Sequence, residues 1–169
     1  MTKLKRDQNL FRLKELEECP VLEFSLDAER ARIDLVVFTE PNILSKTFEE
    51  YAAHANSELC DREFARFRFF DIGDFQKKNG AKQFINQTQF HANGSGVDNI
   101  YGIFVSGAGN KYKLSACLSR FGSIEFSFHR IQFESRLARI LNEGNDFRHY
   151  DVMTNEPIDF SNPFLGSKD

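Results

Sequence analysis

The sequence predicts an α+β fold, in which one antiparallel sheet packs against three to four helices within a single domain. The chain has 169 residues, of which 41% are hydrophobic, and a chain of this length buries roughly 70% of its unfolded surface. Alternating apolar runs, which are typical of strands, are interspersed with runs that have the spacing of helices. Three of the alternating runs follow one another across short turns, which favours an antiparallel sheet.

The first predicted elements are a helix and a hairpin. Residues 3–18 predict a helix because leucines recur among charged residues, and Cys19-Pro20 ends it because the residue before a proline is disfavoured in the α region. Two alternating runs follow, VLEFSLD at residues 21–27 and ARIDLVVF at residues 31–38. The short polar link between these runs predicts an N-terminal hairpin.

A second helix and a third strand come next. Residues 41–59 predict a helix because Leu44, Phe48 and Tyr51 recur at spacings of four and three. The stretch EFARFRFFDIGDF then predicts a strand from Phe64 to Phe70. Alternation assigns one face of this strand to the core, with Ala65, Phe67 and Phe69, and leaves Phe64, Arg66, Arg68 and Phe70 on the other face.

A three-stranded meander is predicted in the second half of the chain, after a short helix over residues 74–89. Its runs are IYGIFVS, KYKLSACLS and SIEFSF, and the joins GAGN and RFG have the length and composition of hairpin turns. We therefore expect a meander from Ile100 to Phe128. The glycines of GAGN do not precede a helix, so they predict a turn and not a phosphate-binding loop.

The last predicted elements are a helix and an extended arm. Residues 129–144 predict a helix, because Phe133, Leu137 and Leu141 share a helical face and Gly144 can end it. Residues 145–169 mix aromatic residues with turn residues. We expect residues 1–144 to form the domain and residues 145–169 to form an arm that packs on the domain or on a partner.

The composition indicates a protein of the reducing cytoplasm. The longest apolar run is the four residues from Leu35 to Phe38, far short of the roughly 20 that cross a bilayer. The three cysteines are odd in number and widely spaced, which does not predict a disulfide framework. Net charge is −3, but residues 15–63 carry thirteen acidic and four basic residues, a local charge of −9. Such a segment suits a basic protein partner better than a phosphate backbone.

Sequence motifs for catalysis, for a metal or for a cofactor are not found. Glu50, His54 and Glu58 could share a helical face, but they lack the spacing of known zinc motifs. His149 and Asp151 would share a face of an extended segment, and a carboxylate can orient an imidazole there. No nucleophile motif accompanies that pair. We therefore predict neither a metal nor a cofactor.

The leading functional prediction is a non-enzymatic protein-binding domain that acts by occlusion. An inhibitor, an antitoxin, an immunity-type protein or a phage or plasmid accessory factor would all act in this way. The acidic segment and the 19 phenylalanines suit a contact patch with aromatic anchors and a charged rim. The predicted partner-binding residues are Glu49, Glu50, Glu58 and Asp61, and the predicted partner is a basic protein.

Two alternatives remain open. A nucleic-acid-binding or nucleic-acid-processing protein would stack bases on phenylalanine rings and use Arg66, Arg68, Lys77, Lys78 and Lys82 for phosphate contacts. The two arginines are equally well explained as covers for the rings of Phe64 and Phe70. A small-molecule enzyme with a cone-like α+β fold would use a phenylalanine-lined pocket with His54 or His129 as the base.

Overall fold

The chain forms a single antiparallel sheet with one helix in the residues that the structure describes. The computed structural model describes residues 3–39, 61–78, 98–119, 121–144 and 146–165. Every strand pair in these ranges is antiparallel. The elements are α1 (Lys3–Lys14), β1 (Pro20–Asp27), β2 (Arg32–Thr39), β3 (Arg62–Phe70), β4 (Gly73–Lys78), β5 (Asp98–Ala108), β6 (Lys111–Leu118), β7 (Gly122–Phe128), β8 (Arg130–Glu143), β9 (Asp146–Asp151) and β10 (Pro157–Ile158).

The strand order across the sheet is β10-β9-β8-β3-β2-β1-β5-β6-β7-β4. β4 follows β3 directly in the chain, and β8 follows β7 directly. β3 pairs with β8, and β4 pairs with β7. The two stretches therefore form one long antiparallel pair that bends at Asp71 and His129. Asp71 has a φ of 58°, and the His129 amide donates to the Phe70 carbonyl oxygen at 3.1 Å. The bend turns the two halves of the sheet towards each other.

The main core lies between the two halves of the bent sheet. The Phe69 ring on β3 lies 5.2 Å from the ring of Phe126 and 5.0 Å from that of Phe128, both on β7. Leu13 and Leu16, from α1 and the turn after it, are fully buried in the same cluster. The helix therefore closes the core beside the strands, while Phe11 on α1 is 63% exposed.

A second, smaller apolar cluster lies on the opposite face of β2, β3 and β8. Phe64 on β3 is fully buried there, together with Val36 on β2 and Ala138 on β8. Ile158 and Phe164 cover these side chains. The last described part of the chain, residues 157–165, is called the C-terminal segment below. It buries the outer face of β3, and so this strand is covered on both faces.

Several predicted elements are confirmed. The first helix, the N-terminal hairpin, the strand through Phe64 and Phe70, and the meander all occur, as α1, β1 with β2, β3, and β5 to β7. The assignment of Ala65, Phe67 and Phe69 to the core is also correct. The GAGN stretch is a hairpin turn between β5 and β6, in which Gly109 has a φ of 69° that favours glycine.

The predicted α+β class is wrong, because the described residues are nearly all β with one helix. Residues 129–144, predicted as a helix, form the strand β8. The helix predicted over residues 74–89 begins instead as the strand β4, and its remainder lies outside the described residues. The helix predicted over residues 41–59 also lies outside them.

Strand pairing explains why β8 is not a helix. Its residues also alternate, since Ile131 and Leu137 are buried and Phe133 packs against the core. Nine residue pairs join β8 to β3, from Arg62 with Ala138 to Phe70 with Arg130. A helix here would leave that edge of β3 without hydrogen bonds, which costs more than the weak helical preference of the sequence.

The end of the chain extends the sheet. β9 pairs with β8, and β10 pairs with β9. The division into a domain over residues 1–144 and an arm over residues 145–169 stays a prediction. Within the described part of the chain, no helix is both long enough and apolar enough to cross a membrane.

The Phe69 contacts predict a large loss of stability when this ring is removed. Phe69→Ala should lower the free energy of unfolding by about 3–5 kcal/mol, because truncation leaves a cavity between the halves of the sheet. Phe104→Ala is the matched control, since the Phe104 side chain is mostly exposed, and it should change stability by no more than about 0.5 kcal/mol. Urea unfolding measures both, and equal losses would contradict the packing described.

Candidate functional site

Two large aromatic side chains project into solvent from β5. Tyr101 is 64% exposed and Phe104 is 66% exposed. Residues three apart normally face opposite sides of a strand. Here the register with β6 shifts between Ile100 and Gly102, and this bulge adds one residue to β5. Tyr101 and Phe104 can therefore both point away from the core.

A shallow groove lies beside Phe104 on the outer face of the meander. Its volume is about 490 Å³, and its lining includes the small residues Gly102, Ser115, Cys117 and Ser123. A methyl group added at Gly102 would meet no atom within 4 Å. The small side chains leave room for a partner group next to the Phe104 ring. We call Tyr101, Phe104 and this groove the meander surface.

Charged and polar side chains lie on β6 and β7 next to the groove. Lys113 Nζ lies 2.6 Å from Glu125 Oε1, and Ser115 donates a hydrogen bond to the same carboxylate at 3.1 Å. Lys111 lies 3.4 Å from Asp74 in an exposed pair. Exposed pairs of this kind add little to stability. The Lys113–Glu125 pair gives the groove a rim that carries both signs of charge.

A second cluster of possible functional interest surrounds His149 on β9. Nε2 of His149 lies 2.9 Å from Nη1 of Arg62 on β3. The imidazole ring contacts the rings of Phe64 and Phe160 at centroid distances of 5.6 Å and 5.1 Å. The Arg62 guanidinium lies 4.6 Å from the centre of the Phe38 ring. We call these five residues the His149 cluster.

Burial and charge set the acid–base properties of the His149 cluster. Burial, and then the neighbouring Arg62 charge, hold the pKa of His149 below its usual value, although Asp61 acts in the opposite direction. Burial also lowers the pKa of Arg62. The His149 cluster is therefore built around a neutral imidazole.

Asp151, which the sequence places on the same face as His149, holds the C-terminal part of the chain in place. Its carboxylate accepts hydrogen bonds from the backbone amides of Met153 and Thr154, at 2.8 Å and 3.0 Å, and from Arg136 Nε at 2.8 Å. Burial raises the pKa of Asp151, but these bonds outweigh it and leave the pKa below its usual value. Arg136 also donates to the Pro163 carbonyl oxygen at 2.7 Å. The two residues tie the C-terminal segment to β8.

The arginines predicted for nucleic-acid contact are paired inside the protein. Arg66 lies opposite Glu134 on β8 and bonds to its carboxylate, and its guanidinium lies 4.7 Å from the centre of the Phe164 ring. Arg68 is nearly buried and lies 3.8 Å from Asp34. The ring that Arg66 covers is therefore that of Phe164. β3 is an interior strand, between β2 and β8.

The other predicted site residues are scattered or lie outside the described residues. Asp61 is exposed and accepts a hydrogen bond from the Ile140 amide at 2.6 Å. Lys77 lies 5.8 Å from the centre of the Phe121 ring, Lys78 ends β4, and His129 is exposed at the bend. Those outside the described residues are Glu49, Glu50, His54, Glu58 and Lys82. Among the described residues, no group of three or more His, Cys, Asp or Glu side chains could hold a metal ion.

The meander surface was missed in the sequence because a bulge cannot be read from alternation. Gly102 inside a strand-like run was the available signal, since a glycine in a strand often marks a bulge. The His149 cluster was missed because Arg62 and His149 are 87 residues apart.

Comparison with protein-family models, curated proteins and solved structures finds no match to this chain.

The internal pairing of Arg68 predicts a structural effect on its removal. Arg68→Ala should lower the free energy of unfolding by roughly 2–4 kcal/mol, because it leaves the Asp34 carboxylate buried with one fewer cation. Arg130→Ala breaks an exposed pair with Asp71 and should cost less than about 1 kcal/mol. Chemical denaturation compares the two variants. A loss of single-stranded RNA binding by Arg68→Ala, with no loss of stability, would point to a phosphate contact.

Proposed function

We propose that this chain is a protein-binding domain and that the meander surface is its contact site. The observation that carries the proposal is the exposure of two large aromatic side chains, Tyr101 and Phe104, three residues apart on β5. Exposed tyrosine and phenylalanine side chains bury large areas when a partner covers them. A few such residues supply most of the binding energy in protein interfaces.

The setting of the two rings supports this function. β5 is hydrogen-bonded to β6 along most of its length, so little backbone freedom is lost when a partner binds. Glu125, which pairs with Lys113, lines the groove beside Phe104, as polar residues do at the rim of an interface. The groove beside Phe104 gives a partner side chain a place to enter.

The mode of action that we propose is occlusion of a partner protein in the cytoplasm. An inhibitor, an antitoxin or an immunity-type protein works in this way. The acidic residues Glu49, Glu50 and Glu58 would steer a basic partner towards the complex by long-range attraction. Cys19 and Cys117 carry free thiols, which is consistent with a reducing compartment.

Protein binding is favoured over nucleic-acid binding by the placement of the arginines. Arg66 and Arg68 were the centre of the nucleic-acid alternative, and both form ion pairs with carboxylates of neighbouring strands. A phosphate backbone needs cations that face solvent. The groove beside Phe104 carries the Lys113–Glu125 pair, with both signs of charge, which suits a protein partner.

The proposal predicts that partner capture depends on Tyr101 and Phe104. Immobilised wild-type protein should retain its partner from a lysate of the native cell. Tyr101→Ser with Phe104→Ser should reduce that retention by at least about tenfold, because two anchors of roughly 1–2 kcal/mol each are removed. Phe147→Ser is the matched control, since Phe147 is 72% exposed on β9, and it should retain the partner as the wild type does.

Two results would contradict the proposal. Equal retention by all three proteins would show that the partner binds elsewhere. Retention of RNA or DNA, with an affinity that falls steeply as salt rises, would favour the nucleic-acid alternative. Both side chains are exposed, so circular dichroism should show the same fold and the same melting temperature for each variant.

A further inference from the structure

We propose that His149 is a pH-sensitive latch, and that protonation of its imidazole releases the C-terminal segment from the sheet. This inference does not depend on the proposed function, because it concerns the opposite half of the sheet. It rests on the hydrogen bond between His149 and Arg62 and on the rings that enclose both side chains.

The hydrogen bond requires a neutral imidazole. The Arg62 guanidinium carries only donors, so Nε2 of His149, at 2.9 Å from Nη1, must be the acceptor. The ring proton of the neutral form then sits on Nδ1. A second proton on Nε2 would place an N–H group against an N–H group and one positive charge against another. Protonation therefore replaces an attraction with a repulsion.

The rings around the pair make the charged form costly. His149 is only 8% exposed, and Phe64 and Phe160 contact its ring on two sides. Arg62 lies over the rings of Phe38 and Phe160, at 4.6 Å and 5.5 Å from their centres. A charged imidazole needs water, and Phe160, which contacts the imidazole ring, belongs to the C-terminal segment. Displacing the C-terminal segment gives the imidazole that water.

Among the described residues, few other charges face His149. On β3 these are Arg62 and, just before that strand, Asp61, which favours the charged form. The residues paired with His149 on β8 and β10 are Ile140 and Ile158, which carry no charge. Further along β9, Asp151 is bonded to Arg136. The Arg62 repulsion and the burial outweigh the Asp61 attraction, because the pKa of His149 is lowered.

The sign of the pH dependence follows from this lowered pKa. When the C-terminal segment is released, the pKa of His149 is near its ordinary value of about 6.5. When the segment is packed on the sheet, the pKa of His149 is lower. The packed state therefore binds the proton less well, and its stability is complete above about pH 6.5 and declines as pH falls through the lower pKa. Asp151 also has a lowered pKa, so its contribution is lost only below about pH 4. The two groups act in separate pH ranges.

Release of the C-terminal segment would uncover an apolar surface. Phe160 and Phe164 lie over Phe38, Phe64 and Val36. The segment is short and lies at the end of the described chain, where local opening needs less free energy than global unfolding. A modest change in the protonation of His149 can therefore shift the equilibrium between the packed and the released C-terminal segment.

Native-state amide exchange of the whole protein tests the latch. Protection factors, which correct for the intrinsic effect of pH on exchange, should be compared at about pH 7.5 and about pH 5. The protection factor of Ile158, which pairs with His149 on β9, should fall at the lower pH, because protonation of His149 favours the released segment. Protection of the meander should change much less.

Two variants and one titration separate the latch from other effects. His149→Gln keeps an acceptor for Arg62 without the titration, so its protection should be nearly independent of pH over this range. His129→Gln, at the exposed bend, should behave as the wild type does. In the wild-type protein, NMR should show the His149 ring titrating below pH 6.5, together with the loss of protection. Unchanged protection, an equal loss in His149→Gln, or a His149 pKa at or above 6.5 would each overturn the proposal.

Discussion

The structure depends on the burial of β3 on both of its faces and on the pairing of both of its edges. Ala65, Phe67 and Phe69 point into the main core, and Phe64 points into the second cluster. β2 and β8 take up its backbone hydrogen bonds on either side. A strand with apolar residues on both faces needs a cover for each. The bend of the sheet supplies one cover, and the C-terminal segment supplies the other.

The charges of β3 are accommodated by the strands beside it. Arg66 lies opposite Glu134 on β8, and Arg68 lies directly opposite Asp34 on β2. Burial raises the pKa of Asp34, while Arg32 and Arg68 act to lower it. The dense stretch of phenylalanine and arginine therefore has a structural explanation. Its rings fill two clusters, and its cations neutralise carboxylates on adjacent strands.

Local sequence signals predicted the elements whose partners lie nearby in the chain. The hairpin of β1 and β2 and the meander of β5 to β7 follow from alternation and short turns, because each strand pairs with its neighbour in sequence. β8 was mistaken for a helix because its identity is decided by β3, about 70 residues earlier. At the candidate site, Gly102 indicated the bulge beside Tyr101. The His149 cluster brings together β2, β3, β9 and the C-terminal segment, which no local pattern encodes.

The two surfaces of interest follow from the same arrangement. The outer face of β3 and its neighbours is occupied by the C-terminal segment, which makes that cover a candidate for regulation. The outer face of the meander carries exposed rings and a groove instead, which makes it a candidate for partner binding. The core between the two halves of the sheet holds both surfaces in place.

The claim that β3 supports both halves is tested most directly by residue-level amide exchange across the whole chain at neutral pH. The slowest exchange should occur in β3, together with the residues of β6 and β7 that face it across the core, at rates set by global unfolding. The edge strands β4 and β10 should exchange much faster. Exchange of the β3 amides as rapid as that of the edge strands would contradict this account.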